Sequence, residues 1–226
     1  MHPADGDPAK KLPRSALMHA AAGEVLPGGT SRSVHQGQPH PIYAASGRGC
    51  VVTDVDGNRY VDFYNNATSL IHGHAHPPTV SAITVQARRG TAFALPVESQ
   101  IALARLLRDR IGGVDQVRFV NSGSEAVLLA LQVARAVTGR PAIAKFEGLY
   151  HGSAEAAEVS LDPDPDAWGS PSAPASVAYT RGTPAGLLEN VVVLPFNDIE
   201  ATEAGPPGGR PARRHAEEAR IYRGGP

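Results

Sequence analysis

The stretch of residues 116–146 constrains the fold of this chain more than any other. It begins with the short apolar run Gln116–Val120, continues through a turn into a helical pattern from Glu125 to Val137, and ends in a second apolar run, Ala142–Phe146. A third apolar run, Val191–Leu194, follows later. Strands that alternate with a helix at this spacing predict an α/β fold with a mainly parallel sheet.

The helix within this stretch is apolar on nearly every side, and a helix of that kind is normally buried on most of its faces. Two further helices are predicted upstream, from Pro78 to about Gly90 and from about Val97 to Arg110. Before them, the β-rich runs Val51–Asp54 and Tyr60–Phe63 flank the turn residues Asp56–Asn58. This arrangement predicts a β-hairpin.

The composition excludes several classes of function. The net charge is −1, which gives no general attraction to nucleic acid or to an anionic membrane. The single cysteine, Cys50, excludes an internal disulfide. No apolar run approaches the roughly 18 residues of a membrane span, and the polar N-terminus lacks the apolar core of a secretion signal. We therefore expect a cytoplasmic protein that binds neither nucleic acid nor membrane.

Changes of composition divide the chain into four predicted parts. Residues 1–24 are expected to form a flexible arm with a short helix from Ser15 to Ala22, and residues 25–72 an N-terminal segment with the hairpin. Residues 73–204 are expected to form the sheet domain, and residues 205–226 an aberrant or disordered tail rich in Gly, Pro, Arg and Ala.

Three alternating histidines, His72, His74 and His76, stand near the boundary between the second and third parts. Alternating histidines are a possible metal-binding pattern. However, no cysteine or acidic partner lies close by in the sequence, and Gly73 and Pro77 indicate a loop. No metal site is predicted here.

The turn Asn121–Ser124 is the first candidate site. A helix N-terminus offers unpaired backbone N–H groups and the positive end of the helix dipole. Gly123 lets a ligand approach the backbone closely, and the hydroxyls of Ser122 and Ser124 add donors, which together suit a phosphate group. A plain helix N-cap explains the same residues, and the spacing alone does not decide between the two.

The loop Phe146–Gly152 is the second candidate site. Ligands of open α/β sheets bind at the carboxyl ends of the strands. Tyr150 and His151 are therefore expected near the turn Asn121–Ser124, here called the phosphate turn, if the two preceding strands are neighbours. The ring of Tyr150 then offers a face on which a flat heteroaromatic ring stacks. A tyrosine that merely covers the edge of the core is the alternative.

Together these segments resemble the class III aminotransferases, a branch of the fold-type I pyridoxal-phosphate enzymes. The matching segments, in the family's order and spacing, are LPGGTSRSV, DVDGNRYVDF, HGHAHP, VRFVNSGSEA, ARAVTGRPAIAKFEGLYHG and LPFND. Within the family, the pattern is most similar to that of the glutamate-1-semialdehyde 2,1-aminomutases and their aminotransferase relatives. The resemblance implies an incomplete fold-type I domain, with a small N-terminal β-hairpin segment and the first part of the large, mainly parallel sheet domain.

The resemblance also implies which residues bind the cofactor and the substrate. The positions that match the surroundings of pyridoxal 5′-phosphate are Ser122, Gly123, Ser124, Tyr150, His151 and Asn197. The first three match the phosphate turn, and Tyr150 matches the aromatic residue that stacks on the pyridine ring. Arg32 and Ser33 fall in the segment that lines the substrate entrance, where one of them is expected to meet a substrate carboxylate. His35 stands where the aminomutases tend to have an arginine, which puts the aminomutase assignment in doubt.

The family's Schiff-base lysine has no match in this chain. That lysine holds the cofactor and moves a proton during the reaction, and in the family it lies well after LPFND. The three lysines present are Lys10, Lys11 and Lys145, and none of them stands at the matching position. We interpret the abrupt change at Gly205 as out-of-frame sequence, with a natural disordered tail as the alternative.

These observations leave three functions open. By resemblance, the chain is part of an enzyme, normally a homodimer, that transfers an amino group on a small amino acid or amino aldehyde. For the chain by itself, the alternatives are a non-catalytic protein that binds pyridoxal phosphate or another phosphate ligand, and an inactive fragment that dimerises. We expect the isolated chain to be inactive, poorly stable and prone to aggregate.

Overall fold

The computed structural model describes residues 12–32 and 39–205, which form two units, Met1–Gln100 and Ile101–Pro226. The elements of the first unit are α1 (Pro13–Val25), β1 (Ala44–Arg48), β2 (Val51–Asp54), β3 (Arg59–Val61) and α2 (Pro77–Ala87). Helix α3 (Glu98–Arg110) crosses the limit between the units. None of the helices in the described ranges has the length and hydrophobicity that a membrane span requires.

Strands β1, β2 and β3 form an antiparallel sheet in that order. The predicted hairpin is confirmed as β2 and β3, and Gly57 makes the tight turn between them with a φ of 90°. Strand β1 was not predicted. The predicted helices are confirmed as α2 and α3, with limits that differ by at most three residues from those predicted from the sequence.

Asp54, at the end of β2, holds the hairpin turn together. Its carboxylate accepts hydrogen bonds from the backbone N–H of Asp56 at 3.0 Å and of Asn58 at 2.7 Å, from the Asn58 side chain at 2.9 Å and from the Tyr60 hydroxyl at 2.9 Å. Burial by itself raises the pKa of Asp54, but these hydrogen bonds together hold the pKa below its usual value. The charged carboxylate is therefore part of the folded structure although it is only 2% exposed.

Helix α1 is attached to the same turn through Asp56. The Asp56 carboxylate accepts hydrogen bonds from the backbone N–H of Arg14 at 2.7 Å, from the backbone N–H of Ser15 at 3.1 Å and from the Ser15 hydroxyl at 2.8 Å. A side chain distant in sequence thus satisfies the first N–H groups of the helix. The helix predicted from Ser15 to Ala22 is confirmed, but it is longer and anchored to the hairpin instead of lying in a loose arm. Residues 1–11 of the predicted arm lie outside the described residues.

Residues Asn65–Thr68 form one turn of left-handed backbone. Their φ angles are 50°, 50°, 54° and 66°, and none of the four is a glycine. Left-handed backbone costs an L-residue about 1–2 kcal/mol, and asparagine tolerates it better than alanine or threonine does. Contacts elsewhere in the first unit must therefore hold this turn in place.

The second unit contains α4 (Gly123–Thr138), β4 (Ile143–Phe146), α5 (Glu155–Glu158), β5 (Gly169–Ser170), β6 (Ala173–Pro174), α6 (Ala185–Leu188), β7 (Val191–Leu194) and α7 (Ile199–Ala204). Strands β4 and β7 pair in parallel, from Ile143 opposite Val191 to Phe146 opposite Leu194. The predicted parallel pairing is therefore confirmed. The core of this unit consists of Ala156, Val159, Val191 and Val193, against which Leu131 of α4 packs.

Two predictions for this unit are wrong. Residues Gln116–Val120 do not form a strand, because the neighbour of β4 is β7 and no described segment pairs with 116–120. Helix α4 has no buried residue, and Leu128, Val133 and Val137 on it are about half exposed. A two-stranded sheet covers one side of this helix only. The predicted domain limits, 25–72 and 73–204, stay a prediction, and residues 206–226 of the predicted tail lie outside the described residues.

Candidate functional site

The turn before α4 is a capped helix N-terminus. Ser122 is the N-cap, and its hydroxyl accepts a hydrogen bond from the backbone N–H of Glu125 at 3.2 Å. In return, the Glu125 carboxylate accepts a hydrogen bond from the backbone N–H of Asn121 at 2.6 Å. This reciprocal pair is a capping box, so the N-cap explanation of Ser122 is confirmed.

The cap leaves donors available in the same turn. The backbone N–H groups of Gly123 and Ser124 donate to no acceptor among the residues that the structure describes. A Cβ added at Gly123 meets no other atom within 4 Å, so the backbone there is open to a ligand. The hydroxyl protons of Ser122 and Ser124 complete a set of four donors at the positive end of a 16-residue helix. Capping and anion binding are therefore compatible in this turn.

The loop after β4 packs against this turn at Gly152 and Ser153. The backbone N–H of Ser153 donates to the Ser124 hydroxyl at 3.0 Å. Gly152 has a φ of 85°, and a Cβ added there lies 2.7 Å from both Cα and Oγ of Ser124. Only glycine fits this approach. Because the Ser124 hydroxyl accepts from Ser153, its proton remains for another acceptor.

Tyr150 and His151 precede this contact and are both exposed. The Tyr150 side chain is 65% exposed, so its ring is available for stacking. His151 makes no hydrogen bond with the described residues, and Gly152 beside it is buried. The structure thus brings the loop of Tyr150 to the phosphate turn, although the strand pairing expected to do so does not exist.

The loop after β7 carries Asn197 at the same edge of the sheet. Because β4 and β7 are parallel neighbours, their carboxyl ends lie side by side. The Glu147 carboxylate accepts a hydrogen bond from the backbone N–H of Phe196 at 3.3 Å, and the rings of Phe146 and Phe196 make an edge-to-face contact at 6.2 Å. These contacts tie the loop of Asn197, whose φ is 59°, to the loop of Tyr150.

The Lys145 side chain is buried. It lies in β4, is 6% exposed, and donates a hydrogen bond from Nζ to the carbonyl oxygen of Val159 at 2.5 Å. Burial lowers the pKa of Lys145, because the charged amine loses its hydration. Lys10 and Lys11 lie outside the described residues.

Comparison with known proteins identifies the family and the fold of this chain. The family model for aminotransferase class III matches residues 33–164. The chain belongs to the class III aminotransferase family. It is 41% identical over 198 residues to the glutamate-1-semialdehyde 2,1-aminomutase of Chloroflexus aurantiacus. These aligned residues make up 86% of this chain and 43% of that protein. The aminomutase of Methanothermobacter thermautotrophicus is also 41% identical, over 83% of this chain and 43% of that protein.

Solved structures of this family have the same fold. An ω-transaminase from Sphaerobacter thermophilus superposes with a TM-score of 0.80 at 45% identity, over 95% of this chain and 47% of that one. A transaminase with PLP bound superposes with a TM-score of 0.76, also at 45% identity, over 84% of this chain and 43% of that one. The chain therefore has an incomplete fold-type I domain and spans less than half the length of the curated relatives it matches.

The donors in the phosphate turn fit the cofactor of a class III aminotransferase. A phosphate dianion needs several converging donors and no acidic group aimed at it. Two backbone N–H groups and two hydroxyls meet that need, and the one nearby carboxylate, Glu125, is engaged with Asn121. The exposed ring of Tyr150, on the loop that touches Ser124, suits the pyridine ring of the same molecule.

Of the two residues predicted to meet a substrate, Arg32 lies in the first unit. Arg32 is exposed, and its guanidinium Nη1 donates to the side-chain oxygen of Asn66 at 3.2 Å. Ser33 lies outside the described residues, as does His35.

The alternating histidines make local contacts: His74 Nε2 lies 2.6 Å from the Asp62 carboxylate, and the rings of His72 and His76 stack. The acidic partner of His74 was missed because it is twelve residues away in sequence.

Sequence reasoning also missed the residues that join the three loops. Ser153 and Phe196 act through backbone N–H groups, which leave little trace in residue type, and the carboxylate of Glu147 accepts from a residue 49 positions away in sequence. Gly152 was the available signal, because a glycine directly after a functional loop often marks a close backbone approach. Asn66 carried no signal at all, since neither its left-handed backbone nor its contact with Arg32 follows from a local pattern.

Proposed function

We propose that this chain supplies the cofactor-binding part of a class III aminotransferase that acts on a small amino acid or amino aldehyde. The observation that carries the proposal is the set of donors at the N-terminus of α4. Ser122, Gly123 and Ser124 offer them together, and the loop of Tyr150 is fixed against the same turn by Ser153 and Gly152. A phosphate with a flat ring attached is the ligand that this arrangement suits best.

Each residue then has a defined part in binding pyridoxal 5′-phosphate. The N–H groups of Gly123 and Ser124 and the two serine hydroxyls hold the phosphate, while Tyr150 covers one face of the ring. Asn197 offers a side-chain amide at the same edge, and His151 supports the loop rather than transferring protons. When bound, the cofactor supplies the electron sink that amino-group transfer requires.

The isolated chain is proposed to bind this cofactor without turning over a substrate. Amino-group transfer needs a lysine amine that reaches both the cofactor and the substrate carbon. Lys145 is buried and donates to the carbonyl of Val159, which keeps it from serving in that way. For these 226 residues by themselves, the proposed function is thus non-catalytic binding of pyridoxal phosphate or another phosphate ligand, and an inactive fragment that dimerises is the alternative.

Two substrate classes are supported by different relatives. Identity of 41% with glutamate-1-semialdehyde 2,1-aminomutases favours an exchange of amino groups on an amino aldehyde. Identity of 45% with an ω-transaminase, together with His35 in place of an arginine, favours transamination of a small amino acid. In both cases Arg32 or Ser33 is proposed to meet the substrate carboxylate. A homodimer is the proposed state of the full-length protein.

The binding test uses a ligand that does not react with lysine. Pyridoxine 5′-phosphate has an alcohol in place of the aldehyde, so it reports the phosphate and ring contacts alone. We expect it to bind the full 226-residue chain, and pyridoxine without the phosphate to bind at least tenfold more weakly. We expect Ser124→Ala to weaken binding about tenfold, since one hydrogen bond to a charged group contributes roughly 1.5–3 kcal/mol.

The matched control is Ser170→Ala, which removes an exposed serine hydroxyl from β5, outside all three loops. Equal affinity of wild type, Ser124→Ala and Ser170→Ala would contradict the phosphate assignment.

A separate test of inactivity adds pyridoxal 5′-phosphate, dialyses and then treats the chain with borohydride. Visible absorbance that survives dialysis and maps to Lys145 would refute the proposed inactivity. Dialysis is expected to remove the cofactor from the phosphate turn.

A further inference from the structure

The left-handed turn Asn65–Thr68 is held in place by a neighbouring carboxylate. Asp62 Oδ1 accepts hydrogen bonds from the backbone N–H groups of Tyr64 and Asn65, both at 2.9 Å. The other carboxylate oxygen, Oδ2, lies 2.6 Å from His74 Nε2. The hydrogen bond with His74 is the main cause of a pKa for Asp62 below the usual value, so the carboxylate stays charged.

His74 is itself fixed on the hairpin sheet. Its backbone exchanges two hydrogen bonds with Gly49, at 2.8 and 2.9 Å. Its ring packs so closely on Gly47 that a Cβ added there lies 2.6 Å from the imidazole. A continuous set of contacts therefore runs from the sheet through His74 and Asp62 to the strained turn.

The strained turn presents the side chain of Asn66 to Arg32. The amide nitrogen of Asn66 donates to the Ser69 hydroxyl at 3.0 Å, and that hydroxyl donates to the Asn66 carbonyl at 2.9 Å. The amide is thereby oriented with Oδ1 outward, where it accepts from Arg32 Nη1 at 3.2 Å. An amide oxygen holds the guanidinium without neutralising its charge.

Arg32 keeps most of its donors for a ligand. Within the described residues, its side chain hydrogen-bonds to Asn66 alone, and it is exposed. A guanidinium has five N–H donors in a fixed plane, and two parallel N–H groups match a carboxylate. Fixing one nitrogen orients that plane. The turn also leaves Asn65 Oδ1 buried with no hydrogen-bond partner among the residues that the structure describes, so the turn is not arranged for its own stability.

We propose that Asn66 is a positioning residue that orients the guanidinium of Arg32 toward the carboxylate of a small amino-acid substrate. This inference rests on the proposed function, which gives Arg32 to the substrate carboxylate. The contacts of Asp62 and His74 hold the strained backbone that places Asn66 there. The reacting groups of the substrate are not touched by Asn66 itself.

The test measures protection of one arginine in the full chain. Phenylglyoxal modifies exposed arginines, and peptide mass spectrometry gives the rate of modification at Arg32 and at Arg59. Arg59 is exposed in β3 and serves as the internal reference. Succinate is the carboxylate probe. In the wild type, succinate is expected to slow modification of Arg32 at least threefold while Arg59 is unaffected.

Three variants separate positioning from general structure. Asn66→Ala removes the amide and is expected to raise the succinate concentration for half-protection about fivefold. Ala67→Gly relieves strain in the same turn but keeps the amide, and its half-protection is expected to stay within twofold of the wild type. Asn66→Asp places an anion beside Arg32, so it is expected to slow modification without succinate and to weaken protection.

The outcomes distinguish two different failures. If succinate protects Arg32 in the wild type and equally well in Asn66→Ala, the positioning role is wrong although Arg32 still binds a carboxylate. If Asn66→Ala and Ala67→Gly lose protection equally, disorder of the turn is the cause, and the positioning role is again overturned. If the wild type shows no protection, the assignment of Arg32 to a substrate carboxylate fails, and the inference that depends on it fails too.

Discussion

Replacement of Gly152 by alanine is expected to separate the two loops that form the proposed cofactor site. The new Cβ lies 2.7 Å from both Cα and Oγ of Ser124, whereas nonbonded carbon atoms prefer about 3.5–4.0 Å. One of the two backbones must therefore move by roughly 1 Å. That movement strains the hydrogen bond from Ser153 to the Ser124 hydroxyl, which fixes the two loops together.

The expected cost has two parts. Gly152 has a φ of 85°, and an L-residue in left-handed backbone costs about 1–2 kcal/mol. Overpacking against Ser124 adds about 1–3 kcal/mol, so Gly152→Ala is expected to lower the free energy of unfolding by about 2–5 kcal/mol. Gly148→Ala is the matched control, because Gly148 has a φ of 66° in the same loop but no atom within 4 Å of an added Cβ. Gly148→Ala therefore includes the cost of left-handed backbone but not the cost of overpacking against Ser124.

The measurement is urea denaturation followed by the fluorescence of Trp168, the single tryptophan of the chain, which lies in the second unit. The difference between the two alanine variants isolates the contact with Ser124 and is expected to be about 2 kcal/mol. Affinity for pyridoxine 5′-phosphate is expected to fall in Gly152→Ala and to hold in Gly148→Ala. Equal unfolding free energies in the two variants would refute the close packing of the loops.

Three further expectations concern the rest of the chain. Asp54→Asn is expected to lower the free energy of unfolding by about 3 kcal/mol near neutral pH, because four hydrogen bonds to a buried charge are weakened. The wild type loses this extra stability as the pH falls from about 3.8 through the lowered pKa, and urea titrations at pH 2–7 measure that loss. For Lys145 the lowered pKa is a cost instead of a gain, because the folded chain disfavours the charged amine. Its pKa is lowered from 10.5 in the folded chain, so wild-type stability rises with pH toward 10.5, and urea midpoints of Lys145→Met are expected to lack that rise. Lysines at both Val133 and Val137 are expected to reduce self-association in light scattering without loss of helical circular dichroism, and unchanged scattering would show that this face of α4 is not responsible.

The parts of the fold that sequence predicted are those with local patterns. The hairpin follows from a turn with Gly57 between two β-rich runs, and α4 follows from a long run of helix formers that begins at a serine and ends at Gly139. The helix N-terminus proposed to bind phosphate was predicted for the same reason. Ser122 and Glu125 stand at the spacing of a capping box, and Gly123 lies between two serines. In each case the residues that make the structure are neighbours in the chain.

The contacts that position the candidate site come from residues far apart in sequence. Ser153 reaches Ser124 across 29 positions, and Arg32 reaches Asn66 across 34. In both contacts a backbone N–H, a hydroxyl or an amide is the partner, and such groups occur in every part of a chain. The sequence therefore named the candidate ligand-binding residues and omitted those that position them, because only the former have a distinctive residue type.

The exposed face of α4 shows why the hydrophobic pattern was misleading about burial. Leu131 packs on the core beside β4 and β7, whereas Val133 and Val137, on the same helix, stay about half exposed. A hydrophobic pattern indicates the surroundings in which a side chain is stable. The exposed fraction shows how much of that side chain the described residues cover. The pattern of α4 suits a helix covered on several sides, and one parallel strand pair covers one side. The disagreement is thus physical evidence that this helix is suited to more contacts than the described residues provide.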